Sequence, residues 1–107
     1  MQGISSGSQK VEIMIKVLIE RHVKRGKEGN LIELLNKLRT ELISQPGYVS
    51  GELLQSLEDK SIIFAFSTWL SALDWKSWEG NPKRLEIESQ IDSLLTASPK
   101  LTIATVF

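Results

Sequence analysis

Between Val11 and Gly26 the chain reads VEIMIKVLIERHVKRG, with Val11, Ile13, Ile15, Val17 and Ile19 at alternate positions and Glu12, Lys16, Glu20 and His22 on the other set. Successive side chains of a strand point to opposite faces, so this spacing predicts a strand with one apolar face, ending near Gly26. From Glu28 to Ser44 the period changes. Leu31, Leu34, Leu35, Leu38 and Leu42 form a helical stripe with Lys37, Arg39 and Glu41 between them, which predicts an amphipathic helix. Pro46 disfavours helix at the residue before it and Gly47 permits a turn, so the helix stops there.

Two β-prone runs follow, YVSGELLQSL and SIIFAFSTW, joined across Glu58, Asp59 and Lys60 as a hairpin. Ile62 to Phe66 is apolar without alternation, so the second of these strands calls for cover on both faces. Ser71 and Asp74 read as a capping box with Asp in place of Glu, opening a short helix through Trp75 and Trp78. Asn81 and Pro82 supply the N-cap and first-turn proline of another, with Ile87, Ile91, Leu94 and Leu95 facing inward. After Pro99, KLTIATVF alternates Leu101, Ile103, Thr105 and Phe107 and predicts the last strand. The Ser- and Gly-rich MQGISSGSQK predicts a disordered tail over residues 1–10, leaving one domain over 11–107.

Strand, helix, strand, strand, helical segment, strand is the βαββαβ order of a ferredoxin-like α+β fold, an antiparallel sheet with helices on one face. The opposite face is open in a monomer. A second copy in a two-fold homodimer is the expected cover.

Composition narrows the function. Thirteen basic and thirteen acidic residues cancel, and no stretch concentrates Lys and Arg, so nucleic acid is not an expected partner. The chain has no cysteine, which removes thiol catalysis and thiolate metal sites, and its one histidine, His22, cannot form a poly-histidine metal site within a subunit. No apolar run approaches the roughly 20 residues of a membrane span, and residues 1–10 lack the apolar centre of a signal peptide. The expectation is a soluble, cytoplasmic protein with no membrane partner. All three tryptophans, Trp69, Trp75 and Trp78, fall within STWLSALDWKSW. Such rings mark either a structural corner or the wall of a small-molecule pocket.

MIKVLIERHVKRGKE near the start, QPGYVSGE in the middle and STW followed by DWKSWEGNPKRLEIE resemble the antibiotic biosynthesis monooxygenase family of dimeric α+β barrels. The likeness runs from about Met14 to Phe107. It implies a pocket inside each subunit, between sheet and helices, and brings the end of the first strand near the tryptophans. Members with this pattern include oxygenases that oxidise quinols and polyketide aromatics without metal or flavin, and also haem-degrading enzymes. The latter use a tryptophan matched here by Trp75, a histidine on the following helix and an asparagine on the first strand. NPKRLEIESQIDSLL has no histidine and Ile19 to Arg21 no asparagine, so haem degradation is disfavoured.

The resemblance therefore implies a cofactor-independent monooxygenase acting on a small aromatic or quinol with dioxygen. The alternative is a non-catalytic small-molecule-binding or stress-related module of the same fold. In the first case Trp75 stacks on the ligand, and His22, or Glu20 if burial raises its pKa, accepts a proton. Trp69, Trp78, Tyr48 and Arg84 complete the expected binding set. Plainer readings stand beside these. His22 also reads as a solvated strand end, Trp75 as core, and Trp69 and Trp78 as core or dimer contacts. Tyr48 also reads as a turn anchor through its hydroxyl, Arg84 and Glu88 as an exposed i,i+4 ion pair, and Glu52, Glu58 and Asp59 as solvated surface.

Overall fold

The computed structural model describes residues 13–107. The tail expected over 1–10, and Val11 and Glu12, lie outside the described residues. Four strands and three helices follow one another as β1 (Ile15–His22), α1 (Glu28–Leu42), β2 (Tyr48–Gln55), β3 (Ile62–Trp69), α2 (Ala72–Glu79), α3 (Pro82–Asp92) and β4 (Lys100–Thr105). The sheet is antiparallel in the order β2-β3-β1-β4, the split ferredoxin-like arrangement that the element order predicts.

Strand β1 begins at Ile15 because its partners run out there: Ile15 pairs with Trp69 at the end of β3 and with Thr105 at the end of β4. Ile13, expected on the apolar face, is left exposed. At the other end the chain continues to Val23, whose N–H donates to the Ser61 carbonyl at 2.8 Å. Gly26 then turns it into α1 at a positive φ of 81°.

Leu31, Leu35 and Leu38 of α1 are buried against the sheet, with Leu34 and Leu42 partly so. The helix ends two residues before the expected Ser44, where Ile43 donates its N–H to the Arg39 carbonyl at 3.0 Å. Gly47 carries the turn into β2 at φ 81°, and a Cβ there would overlap the Asp74 carboxylate. Two independent constraints, sign of φ and closeness of α2, hold this position to glycine. Just beyond it, Val49 is an extra residue between Tyr48, paired with Trp69, and Ser50, paired with Thr68. This bulge keeps Tyr48 on the helix-facing side together with Gly51 and Leu53.

Both short helices start as their sequence signals predict. Ser71 Oγ accepts from the Asp74 N–H at 3.2 Å and donates to its carboxylate at 2.9 Å. Asn81 Oδ1 accepts from the Lys83 N–H at 2.8 Å, with Pro82 in the first turn.

The three helices cover one face of the sheet. Ile15, Val17, Ile19, Ile63 and Trp69 point into that layer with Trp75, Trp78, Ile87, Ile91 and Leu95. The other face carries Leu18, Phe64, Phe66 and Leu54, all half-buried or exposed, so β3 is apolar on both sides as its sequence requires. Among the described residues no helix is long and apolar enough to cross a membrane.

Candidate functional site

Three small residues open a cavity between sheet and helices. Gly51 pairs with Ser67, and Ala65 pairs with Leu53, so the helix-facing side of β2 and β3 has a shallow patch where larger side chains would otherwise meet α1. Ile19 and Arg21 of β1 continue the floor. Leu35, Leu38 and Leu42 of α1 form one wall, Trp75 and Trp78 of α2 and Arg84 and Glu88 of α3 the other. The space open to water is about 60 Å³, and about 570 Å³ counting every gap between atoms and the open mouth. The smaller figure decides what enters without movement, a handful of waters, so an organic ligand must occupy the mouth or displace side chains there. A recess of about 190 Å³ on the outer face, between Lys16, Glu52, Phe66 and Thr68, is roomier but more polar and has only one aromatic ring, Phe66, in its wall.

The aromatic residues are linked. Trp69 packs edge-on against Tyr48, with ring centroids 5.6 Å apart, and edge-on against Trp75 at 5.8 Å. It is fully buried, and its indole N–H donates to Ser67 Oγ at 3.0 Å. Trp69 therefore stands behind the cavity and fixes two of its walls, rather than touching a ligand as expected of it. Trp75 and Trp78 do line the cavity, as does Tyr48. The Tyr48 hydroxyl lies across Gly51, where a Cβ would approach it to 2.7 Å, instead of anchoring the turn.

One carboxylate organises the polar end. Glu88 Oε2 accepts from Arg21 Nη2 at 2.7 Å and forms an ion pair with Arg84, whose Nη2 lies 3.0 Å away. Arg84 also donates to the Glu79 carbonyl at 3.0 Å, and its guanidinium lies 5.3 Å from the Trp75 ring centroid, a cation–π contact. The i,i+4 spacing of Arg84 and Glu88 is thus used, but the pair is largely buried rather than exposed: both side chains are 13% exposed and Arg21 is 1% exposed. Burial draws Arg84 below the ordinary arginine range; Glu88 opposes this, Arg21 adds to it, and Glu79 opposes it. Arginine nevertheless keeps its charge at neutral pH. Two guanidinium groups against one carboxylate leave a buried positive excess. Arg39 and Glu52 add one charge of each sign at the rim.

Arg21 was legible in β1 and was missed. It occupies an alternate position continuing Val17 and Ile19, so a charged residue sits on the face that packs on the helices. The same parity corrects the expected proton acceptors. Glu20 and His22 pair across to Phe64 and Ile62 on the outer face, and they hydrogen-bond to each other at 2.7 Å with the His22 side chain 38% exposed. Neither lines the cavity. Strand alternation keeps them one sheet thickness away from any ligand held by Trp75. Glu52, expected as plain surface, stands at the cavity rim; Glu58 and Asp59 are exposed in the β2–β3 turn.

Residues 14–88 match the family described as antibiotic biosynthesis monooxygenase. The chain belongs to that family. Among curated relatives of this monooxygenase-type domain, Protein SchA of Streptomyces halstedii is 23% identical over 73 residues, 68% of this chain and 19% of SchA. The chain therefore spans well under a quarter of that relative's length. Solved structures share the fold. A conserved protein from Methanosarcina mazei superposes with a TM-score of 0.85 at 18% identity, covering 91% of this chain and 96% of that one. SnoaB of Streptomyces nogalater, a cofactor-independent oxygenase, superposes with a TM-score of 0.81 at 14% identity, covering 89% and 94%. At these identities the antibiotic biosynthesis monooxygenase fold is what the chain and SnoaB have in common.

Proposed function

We propose that this protein is a cofactor-independent monooxygenase that oxidises a small phenol or quinol with dioxygen in the cavity under Trp75 and Trp78. The observation carrying the reading is the wall itself: two buried indoles and Tyr48 around an otherwise aliphatic recess, with the polar groups gathered at one end by Glu88. Flat electron-rich rings suit such a wall, and a few fixed polar groups orient them. Family membership and a fold shared with SnoaB, a cofactor-independent oxygenase, support the choice of chemistry.

The reaction asks little of the protein. An ionised phenol delivers electrons from ring carbon to dioxygen, a carbon–oxygen bond forms, and the resulting hydroperoxide loses water. A phenol and dioxygen thus give a quinone and water, one oxygen atom going to each. The chain's residues bind the ring, orient it and exclude bulk water. Glu20 and His22 are not assigned as the proton acceptor, because they stand on the far face of the sheet.

A second copy packed on the outer face, covering Leu18, Phe64 and Phe66, belongs to the same proposal. A cytoplasmic setting, which suits a chain without cysteine, belongs to it too.

A binding module of the same fold is the second reading, and the small volume of the cavity, about 60 Å³ open to water, favours it. Dioxygen uptake by the purified protein with a panel of substituted hydroquinones separates the two. The expected result is protein-dependent uptake matched by hydroxyquinone formation without hydrogen peroxide, one oxygen atom going to the ring and one to water, with Trp75→Ala raising KM about tenfold through lost stacking. No uptake with any hydroquinone that binds leaves the module.

A further inference from the structure

One notch in the cavity floor has a polar rim. A Cβ on Gly51 would stand 2.7 Å from the Tyr48 hydroxyl, 2.7 Å from the Phe66 carbonyl oxygen and 3.6 Å from Ser67 Cα, so two oxygens from different strands converge over the bare glycine. Gly51, Tyr48, Phe66 and Ser67 all border the cavity. The Tyr48 hydroxyl has no hydrogen-bond partner among the described residues, yet it is not sealed in as Arg21 Nε and Trp75 Nε1 are, so it is open to the space it borders. A backbone carbonyl has two lone pairs, and the sheet ladder uses one of them at most.

Register sets the notch beside the apolar floor. Gly51 pairs with Ser67, which pairs with Val17, and the next row on the same face is Leu53, Ala65 and Ile19. Rows on one face are about 6.6 Å apart, close to the length of a phenol laid along the strands. A ring over Ala65 therefore reaches the notch with one substituent.

We infer that Tyr48, Gly51 and the Phe66 carbonyl form a seat for one un-ionised hydroxyl of the ring, which donates to the carbonyl and accepts from Tyr48. This rests on the reading of the cavity as an aromatic site, and names the group on the ring that the site selects. A hydroxyl answers both oxygens at once. A methyl ether brings no proton to the carbonyl and ends in a group too bulky for the notch, and an ionised oxygen meets the carbonyl with like charge. Polar groups left unpaired under a bound ligand discriminate more strongly than a missing methylene does. In a quinol the seated hydroxyl stays protonated, and the other oxygen is left to ionise.

The test uses 4-ethylphenol, which is uncharged at neutral pH, with 4-ethylanisole as its methyl ether and ethylbenzene as the bare ring. In calorimetric titrations of the full chain, the phenol should bind about tenfold more tightly than the ether. Tyr48→Phe keeps the ring that packs on Trp69 and removes only the hydroxyl. It should cut that advantage several-fold while changing the affinity for ethylbenzene by less than about twofold. Gly51→Ala fills the notch and should abolish the advantage; it carries the test alone if Tyr48→Phe does not fold, and circular dichroism checks both. Equal binding of phenol and ether by the parent overturns the seat and leaves the aromatic cavity standing. An advantage that survives both substitutions places the hydroxyl elsewhere and overturns the seat as well. Binding of none of the three overturns the aromatic reading together with it.

Discussion

Gly47 and Gly51 stand four residues apart and serve different ends. At Gly47 the φ of 81° and the Asp74 carboxylate both exclude a side chain, so Gly47→Ala strains the turn without touching the cavity wall. It should lower stability by about 1 kcal/mol or more in urea unfolding while ligand affinity is retained in the folded fraction. Gly51 has ordinary backbone geometry, but a Cβ there would come within 2.7 Å of the Tyr48 hydroxyl and of the Phe66 carbonyl. The carbonyl cannot swing away as a side chain can. Gly51→Ala should therefore cost about 1–3 kcal/mol as an overpacked site and also weaken aromatic ligand binding, read by titration, because Tyr48 must move. Equal effects of the two substitutions on affinity would contradict the placement of Gly51 in the wall. Of the two roles only the turn at Gly47 was legible in the sequence. A glycine after proline announces a turn, whereas a glycine inside YVSGELLQ gains meaning only once Tyr48 is seen to lie over it.

At the scale of the element, what could be read from the sequence was whatever one strand or helix decides for itself. The alternation in β1, the leucine stripe of α1 and the caps at Ser71 and Asn81 depend on near neighbours, and their elements stand where those signals put them. The site was harder because it is made by pairs. Arg21 meets Glu88 across 67 positions of sequence, and the cavity depends on Gly51 facing Ser67. Parity along β1 holds the information that Arg21 faces inward and Glu20 and His22 outward, whereas the pocket location implied by the family resemblance points to the end of the strand without distinguishing its faces. The β2–β3 turn offers an element-scale test. Asp59 Oδ1 accepts from the Ser61 hydroxyl at 2.6 Å and from the Ser61 N–H at 3.0 Å. These bonds, side chain first, hold its carboxyl below the ordinary 3.8, against a small opposing effect of burial and with slight help from His22. A folded-state value below the unfolded one adds stability above the unfolded value and loses it as pH falls through the folded one. The urea midpoints of the parent and Asp59→Asn should therefore differ near neutral pH and converge in strong acid. A difference that persists in acid would point to a cause other than the carboxylate.

For the whole molecule, the unfinished surface is the outer face of the sheet, where Leu18, Phe64 and Phe66 stand beside the Glu20–His22 pair. With a second copy covering it, the interface should exceed roughly 1,000 Å² in total. Light scattering at micromolar concentration should give twice the chain mass, and Phe66→Lys should shift it toward the monomer; a monomeric parent would remove the proposed dimer. The alternation that separates the two faces has a consequence for anyone redesigning this chain. Along β3, Ala65 and Ser67 address the cavity, Phe64 and Thr68 address the surface beyond, and Phe66 borders both. The proposed ligand site and the proposed dimer contact thus draw on interleaved positions of one strand, so a library confined to Ala65 and Ser67 varies the first while leaving the outward Phe64 and Thr68 as they are.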